Sequence, residues 1–240
     1  MTRARTAMVL AAGYGARMRP LTDRMPKPLV PLAGRALVDH VLDKLAAAGV
    51  ETAIVNAHYL PDQIETHMRA RAGRPPKTII SDERERLLDT GGGAKKALPQ
   101  LGAGPFFIHN SDSAWSEGAT PALPHMLRLW DSAKMDCLLL LAPLSTSLGY
   151  HARGDFDMAA DGRLTRRGEQ PVPYAFAGVS LCEAKLFDDT PEGPFSLNLL
   201  WDQALAKGRL YGVRLDGRWM HVGTPEALEE AEASFEHEGA

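Results

Sequence analysis

Short apolar runs alternate with helix-patterned segments over the first two thirds of the chain, and this alternation restricts the fold more than any other feature. Ala7–Ala12, Thr52–Ala57, Thr78–Ser81, Phe106–His109 and Asp136–Ala142 read as strands. Between them, Ala36–Ala48 reads as a helix closed by Gly49, and Pro61–Ala72 as one with proline in its first turn. Gly92–Leu98 and Pro121–Trp130 complete the helical set. Strands separated by helices predict βαβ units, hence an α/β fold with a mostly parallel central sheet and helices on both faces. Such sheets bind ligands at the carboxyl ends of their strands, so the loops after Ala12, Ser81 and His109 should share one crevice. Beyond Tyr150 the texture changes. Asp155–Met158, Tyr174–Leu181, Leu210–Leu215 and Trp219–Val222 predict a small antiparallel region, and Pro225–Glu236 an acidic helix with a solvated face. At 240 residues, the expectation is one domain over 1–240. Its 1–149 half would bind one ligand and its 150–240 half the other.

The first strand empties into Gly13-Tyr14-Gly15, followed by Arg17, Arg19 and a lysine framed as Pro26-Lys27-Pro28. Glycines let backbone N–H groups approach an anion, and fixed cations clamp the remaining oxygens. The loop is not a dinucleotide fingerprint, because Met18 stands where a third glycine belongs. It is not a P-loop either, because Lys27 lies between prolines. A net charge of −3 supplies no global field toward nucleic acid or an anionic membrane, so neither is expected as a partner. Anion binding must then come from local placement of positive groups. No run approaches a membrane span, and the basic start Met1–Arg5 precedes too short an apolar run for a secretion signal. Cys137 and Cys182 sit in apolar runs and read as buried hydrophobes, which suits a reducing cytoplasm.

Other loops carry chemistry or punctuation. Asn110-Ser111-Asp112 leaves a strand end with a carboxylate that serves as a turn residue or as a Mg²⁺ ligand; a phosphate loop in the same crevice favours the metal. Gly91-Gly92-Gly93 makes a helix start or a backbone that a flat nucleobase approaches. Arg153-Gly154-Asp155 and Phe176-Ala177-Gly178 line an acceptor pocket or form ordinary turns. Thr224-Pro225 reads as a helix cap and first turn. His221 faces the crevice only if its strand register allows. His58, His67 and His125 read as surface or packing residues.

Taken together, Leu10-Ala11-Ala12-Gly13-x-Gly15-x-Arg17-Met18-x-Pro20-Leu21-Thr22, Pro26-Lys27-Pro28-Leu29, Asp89-Thr90-Gly91-Gly92-Gly93, Arg153-Gly154-Asp155-Phe156 and Trp219-x-x-Val222-Gly223-Thr224 resemble the sugar-1-phosphate nucleotidyltransferases. The compact N-acetylmuramate-1-phosphate uridylyltransferase branch is the nearest likeness. The resemblance covers nearly the whole chain and implies a Rossmann-like sheet. It implies a cytoplasmic enzyme of cell-wall sugar recycling that joins an NTP (UTP in that branch) to a sugar 1-phosphate, releasing pyrophosphate, with Mg²⁺ as cofactor. The enzyme would be a monomer or a small homo-oligomer. A mannose- or heptose-1-phosphate guanylyltransferase, a phosphocholine cytidylyltransferase and a nucleotide-sugar-binding protein without turnover stay open beside it. By likeness, Arg17, Lys27 and Asp112 form the catalytic set. Ala11, Ala12, Gly13 and Gly15 would cradle the triphosphate, with Arg17 at its β/γ end and Lys27 at the α-phosphate. Thr90, Gly91 and Asn110 would meet the nucleotide, Asp112 and His221 the metal, and Gly154, Asp155 and Gly178 the acceptor. Three departures stand out. Ser111 precedes Asp112 where the family often has glycine. His221 replaces an acidic residue or asparagine. A Glu-Lys-Pro segment that touches the acceptor phosphate in longer relatives is missing, with Arg166 or Arg167 the available substitutes.

Overall fold

Strand β1 (Thr6–Leu10) is apolar on both sides because both faces of the sheet are covered: Ala7 and Val9 pack into one core and Met8 into the other, all fully buried. The structure, a computed structural model, describes residues 2–238. A two-residue hairpin, β2 (Pro31–Leu32) and β3 (Arg35–Ala36), precedes α1 (Leu37–Ala47). Then follow β4 (Thr52–Ala57), α2 (Pro61–Ala70), β5 (Lys77–Asp82), α3 (Asp89–Leu101), β6 (Phe106–Asn110), β7 (Ser113–Glu117), α4 (Ala122–Leu129) and β8 (Cys137–Pro143). The second half holds β9 (Phe156–Met158), β10 (Leu164–Arg166), β11 (Tyr174–Cys182), α5 (Leu197–Ala206), β12 (Leu210–Arg214), β13 (Gly217–His221) and α6 (Pro225–Glu238).

The sheet has nine strands. Strands β6, β1, β4 and β5 lie side by side in parallel, with β1 central. Strand β11 then pairs antiparallel with β6 on one edge and with β8 on the other. Strand β12 extends the sheet beyond β8, and β9 with β10 continue it from the Tyr174 end of β11. The α/β reading with a mostly parallel sheet holds. Helices α1, α2 and α4 cover one core, built on Val41, Leu45, Val55, Phe107 and Leu140, while α3 and α5 cover the other. Cys137 and Cys182 are free, buried and register neighbours on β8 and β11, where burial pushes both thiols above their ordinary range.

Three expectations need correction, and a fourth is incomplete. Strand β1 ends at Leu10, so Ala11 and Ala12 already belong to the loop. Strand β12 is not antiparallel to its neighbour: the chain passes through α5 and returns parallel to β8. Helix α5 itself replaces an expected loop; Ser196 caps it by accepting from Asn198 N (3.2 Å), and Leu197, Leu200, Trp201 and Ala204 give it a buried stripe. Helix α6 has the expected solvated face, with Glu226, Glu229 and Glu230 exposed, but its other side is packed. Glu230 accepts from the Gly149 amide (3.1 Å) and Glu232 from that of Ala33 (2.9 Å), while Ala231 packs with Met18, Leu32 and Met220. The C-terminal helix therefore braces the loop that follows β1.

Candidate active site

Parallel strands deliver their carboxyl ends to one rim, and there a crevice of about 410 Å³ opens. The exit of β1 supplies its floor. Gly13 is open, so an added Cβ would project into free space, whereas Gly15 is fixed at φ +62 with its missing Cβ 2.9 Å from Lys27 Cβ. Only glycine serves at the second position, because the loop turns left-handed there and the lysine segment passes directly behind it. The Gly15 carbonyl accepts from Met18 N (2.9 Å) and Thr22 Oγ1 (2.8 Å), which closes the loop and sends the exposed Arg17 outward. Lys27 lies in a tight turn between Pro26 and Pro28 and is 9% exposed.

Strand β6 exits beside β1, and Ser111 binds the Leu10 carbonyl through both its amide (3.1 Å) and its hydroxyl (2.7 Å). That double hold aims Asp112 at the lysine turn, with Lys27 Nζ 2.5 Å from Asp112 Oδ2. Burial acts to raise the Asp112 carboxyl; the charges of Lys27 and His221 and the Lys27 hydrogen bond outweigh it and hold the group below the ordinary range. One carboxylate beside a loop of open backbone fits a hard divalent cation that brings its other ligands with the substrate. Among the described residues no cluster of three His, Cys, Asp or Glu side chains stands ready to hold an ion alone.

The register of β13 against β7 pairs His221 with Ser113, the neighbour of Asp112. The histidine folds back toward Gly223, where a Cβ would stand 2.7 Å from its Nε2 and 3.6 Å from Arg17 Nη1. Burial, joined by Lys27 and Arg17, lowers the imidazole pKa against the pull of Asp112, so the ring is neutral near pH 7 and charged only in acid, where Asp112 itself titrates. His221 thus lies beside the cation pair, behind the crevice wall that Gly223 forms.

Of the predicted residues, Ala11, Ala12, Gly13, Gly15, Arg17, Lys27, Thr90, Asn110 and Asp112 border the crevice. The others are placed elsewhere. Gly91 and Gly92 donate to the Phe195 carbonyl (2.8 and 3.1 Å), and side chains there would collide with Phe195 and Gly193, so packing accounts for these glycines. Gly178 (φ +85) would meet Ser113 Cβ at 2.6 Å, and Gly154 (φ +80) would run into the Val172 carbonyl. Asp155 accepts from Phe176 N (2.9 Å) and from the Tyr150 hydroxyl (3.3 Å), and burial with that carboxylate pushes the phenol up to about 12. Arg166 is engaged by Asp202 (2.6 Å) and Asn198 (2.9 Å). Sequence reasoning missed Asn56, Leu87 and Asp89 in the crevice wall. The available signal for Asp89 was its place beside Thr90 and Gly91 in the motif that carries the family likeness; in the structure it opens α3 at φ +60.

A model of the nucleotidyl transferase family matches residues 6–150. The chain is 51% identical to the N-acetylmuramate alpha-1-phosphate uridylyltransferase of Caulobacter vibrioides, with 95% of each chain covered. It is 32% identical to the protein of that name from Neisseria meningitidis, over 95% of this chain and 96% of that one. Among solved structures, HddC from Yersinia pseudotuberculosis complexed with GMP-PN shares the fold, with a TM-score of 0.76 at 22% identity over 96% of this chain and 99% of that one. With the sheet already described, these likenesses show that the chain belongs to the nucleotidyl transferase family.

Proposed function

We propose that this enzyme joins UTP to N-acetylmuramate 1-phosphate, giving the UDP-sugar and pyrophosphate, with Mg²⁺ as cofactor, in the cytoplasmic recycling of cell-wall sugars. The observation that carries the reading is the convergence of Arg17, Lys27 and Asp112 on one crevice at the exits of β1 and β6. The relatives at 51% and 32% identity supply the base and the sugar.

Strand order supports one layout of the substrates. From β5 through β4 and β1 to β6, the crevice presents first Leu87, Asp89 and Thr90, then the glycine loop with Arg17, then Asp112 with Lys27. The base lies at the β5 end, the triphosphate over Gly13 and Gly15, and the reacting α-phosphate between Lys27 and Asp112. Residues 1–149 thus act as the nucleotide half and 150–240 as the acceptor half, entered past Asp112. Gly91, Gly154, Asp155 and Gly178 serve this arrangement by packing its walls.

The chemistry asks little of a general base. A phosphate monoester has a second pKa of about 6, so the attacking oxygen is already ionised at neutral pH. The enzyme instead holds two anions in line and neutralises charge on the α-phosphate and the departing pyrophosphate. Arg17 clamps the β/γ end and Lys27 bridges the α-phosphate and the acceptor phosphate. Asp112 would hold the divalent cation, which shares that neutralisation when bound. Pyrophosphate release measured over four NTPs with N-acetylmuramate, mannose and N-acetylglucosamine 1-phosphates tests the reading. The UTP and N-acetylmuramate 1-phosphate pair should give the highest kcat/KM; preference for GTP with mannose 1-phosphate would overturn the assignment of base and sugar.

A further inference from the structure

Behind the crevice wall lies a buried carboxylate that the chemistry above does not use. Glu83 follows β5, is 2% exposed, and is held by two neutral donors rather than by a cation. Its Oε1 accepts from Asn56 Nδ2 (2.8 Å) and its Oε2 from the Leu88 amide (3.1 Å). Asn56 is equally buried, and its Oδ1 accepts from the Ala11 amide (2.7 Å) at the start of the phosphate loop. One chain of hydrogen bonds therefore runs from Ala11 through Asn56 and Glu83 to Leu88, joining the phosphate loop to the segment that carries Asp89 and Thr90.

A second chain runs parallel to it. The Glu83 carbonyl stands 2.7 Å from His58 Nδ1, and His58 Nε2 stands 3.0 Å from the Tyr14 hydroxyl. A carbonyl can only accept, so Nδ1 carries the proton and Tyr14 donates to Nε2. Both ends of the 11–14 segment are thus referred to the same residue, through its side chain and through its backbone. Helix α3 leaves room for this junction, since a side chain at Gly93 would come within 2.8 Å of both Asn56 Nδ2 and Glu83 Oε1. A buried carboxyl group is a costly way to fill space, and an apolar residue of similar size would serve packing alone at less cost.

We infer that Glu83 is a positioning residue for the nucleotide, fixing the distance between the loop that holds the triphosphate and the turn that meets the base. The inference rests on the nucleotide reading of the crevice. Only one donor can be satisfied if Glu83 becomes an amide, because Asn56 Nδ2 and the Leu88 N–H are both donors. Asn56 cannot turn over without abandoning the Ala11 amide.

The test compares wild type, Glu83→Gln and Tyr14→Phe. UTP binding is measured by titration calorimetry without acceptor, and turnover gives KM for UTP and for the sugar phosphate separately. Tyr14→Phe removes one hydroxyl from an exposed ring and leaves folding intact. Expected are a UTP Kd raised about tenfold in Glu83→Gln and about threefold in Tyr14→Phe, with the sugar-phosphate KM within about twofold of wild type. An unchanged UTP Kd in Glu83→Gln, or equal rises in both KM values with a lowered Tm, overturns the inference and leaves Glu83 a purely structural residue. If Glu83→Gln does not accumulate as folded protein, Tyr14→Phe decides: a raised UTP Kd supports the inference and an unchanged one overturns it. Wild-type protein that binds no NTP is a separate outcome, which removes the nucleotide reading and this inference with it.

Discussion

Lys27 Nζ and Asp112 Oδ2 meet at 2.5 Å where the exits of β1 and β6 converge, so the residue proposed to grip phosphate and the residue proposed to hold the cation neutralise each other. Neither charge is buried alone. In the proposed reaction, substrate phosphates and a divalent cation would divide this pair between them.

Removing either positive clamp should cost about 2–4 kcal/mol of transition-state stabilisation, a fall in kcat/KM of about 30- to 10³-fold. The two variants differ in stability. Arg17→Ala leaves Tm nearly unchanged because the side chain is exposed. Lys27→Ala strands Asp112 beside a mostly buried turn and should lower stability by about 1–3 kcal/mol. Steady-state kinetics with denaturant unfolding checks both; near-wild-type kcat/KM in either variant removes the clamp assignment.

Asp112→Asn should lose nearly all Mg²⁺-dependent turnover yet bind UTP within about tenfold of wild type, since the glycine loop and Arg17 remain. Titrating Mg²⁺ against rate is the check, and an unchanged half-saturation and maximum would return Asp112 to a turn role.

His221→Asp places a hard anionic oxygen beside Asp112 in place of a neutral imidazole. The Mg²⁺ concentration for half-maximal rate should fall, because this cation prefers oxygen ligands. A rise in KM for UTP or for the sugar phosphate would instead assign His221 to phosphate, through like-charge repulsion. If neither constant moves, the histidine takes no part in binding either ligand.

Much of this was legible because loop chemistry is local. Gly13, Gly15, Arg17, Lys27 and Asp112 lie in segments whose glycines, prolines and charges have few structural uses, and they converge as their spacing implies. The glycines at 91, 92, 154 and 178 are ambiguous in a sequence, because a close approach by protein, which the structure shows at each, and a close approach by ligand leave the same mark. Asn56 and Glu83 were invisible for the opposite reason: a buried amide and carboxylate declare themselves only once β4 and β5 lie side by side. Helix α5 was missed although Ser196 and the Leu197-Leu200-Trp201-Ala204 spacing marked it, because the segment was read as one texture with the short strands around it.

Burial of His109 makes the fold sensitive to acid. The ring is fully buried, stacks on Trp115 at 5.4 Å, and its pKa is pushed down to about 4, burial being the cause. A lowered folded pKa means the neutral ring is favoured, so its contribution is complete above the unfolded value of about 6.5 and is lost as pH falls toward 4. His109→Phe keeps the stacking and removes the titration. Between pH 7 and pH 4.5 its stability relative to wild type should improve by about 2–3 kcal/mol, read from denaturant unfolding at the two pH values. Parallel pH curves would show that His109 does not titrate in this window.

Phosphorus NMR follows the proposed reaction directly. UTP, N-acetylmuramate 1-phosphate, Mg²⁺ and wild-type enzyme should yield a diphosphate-linked UDP-sugar and pyrophosphate in equal amounts, with the acceptor phosphate signal consumed in step and no UMP formed. The same mixture with Arg17→Ala should stay nearly unchanged over that time. UTP that remains intact with the wild type, or that is hydrolysed without consuming the sugar phosphate, would contradict the proposed transfer.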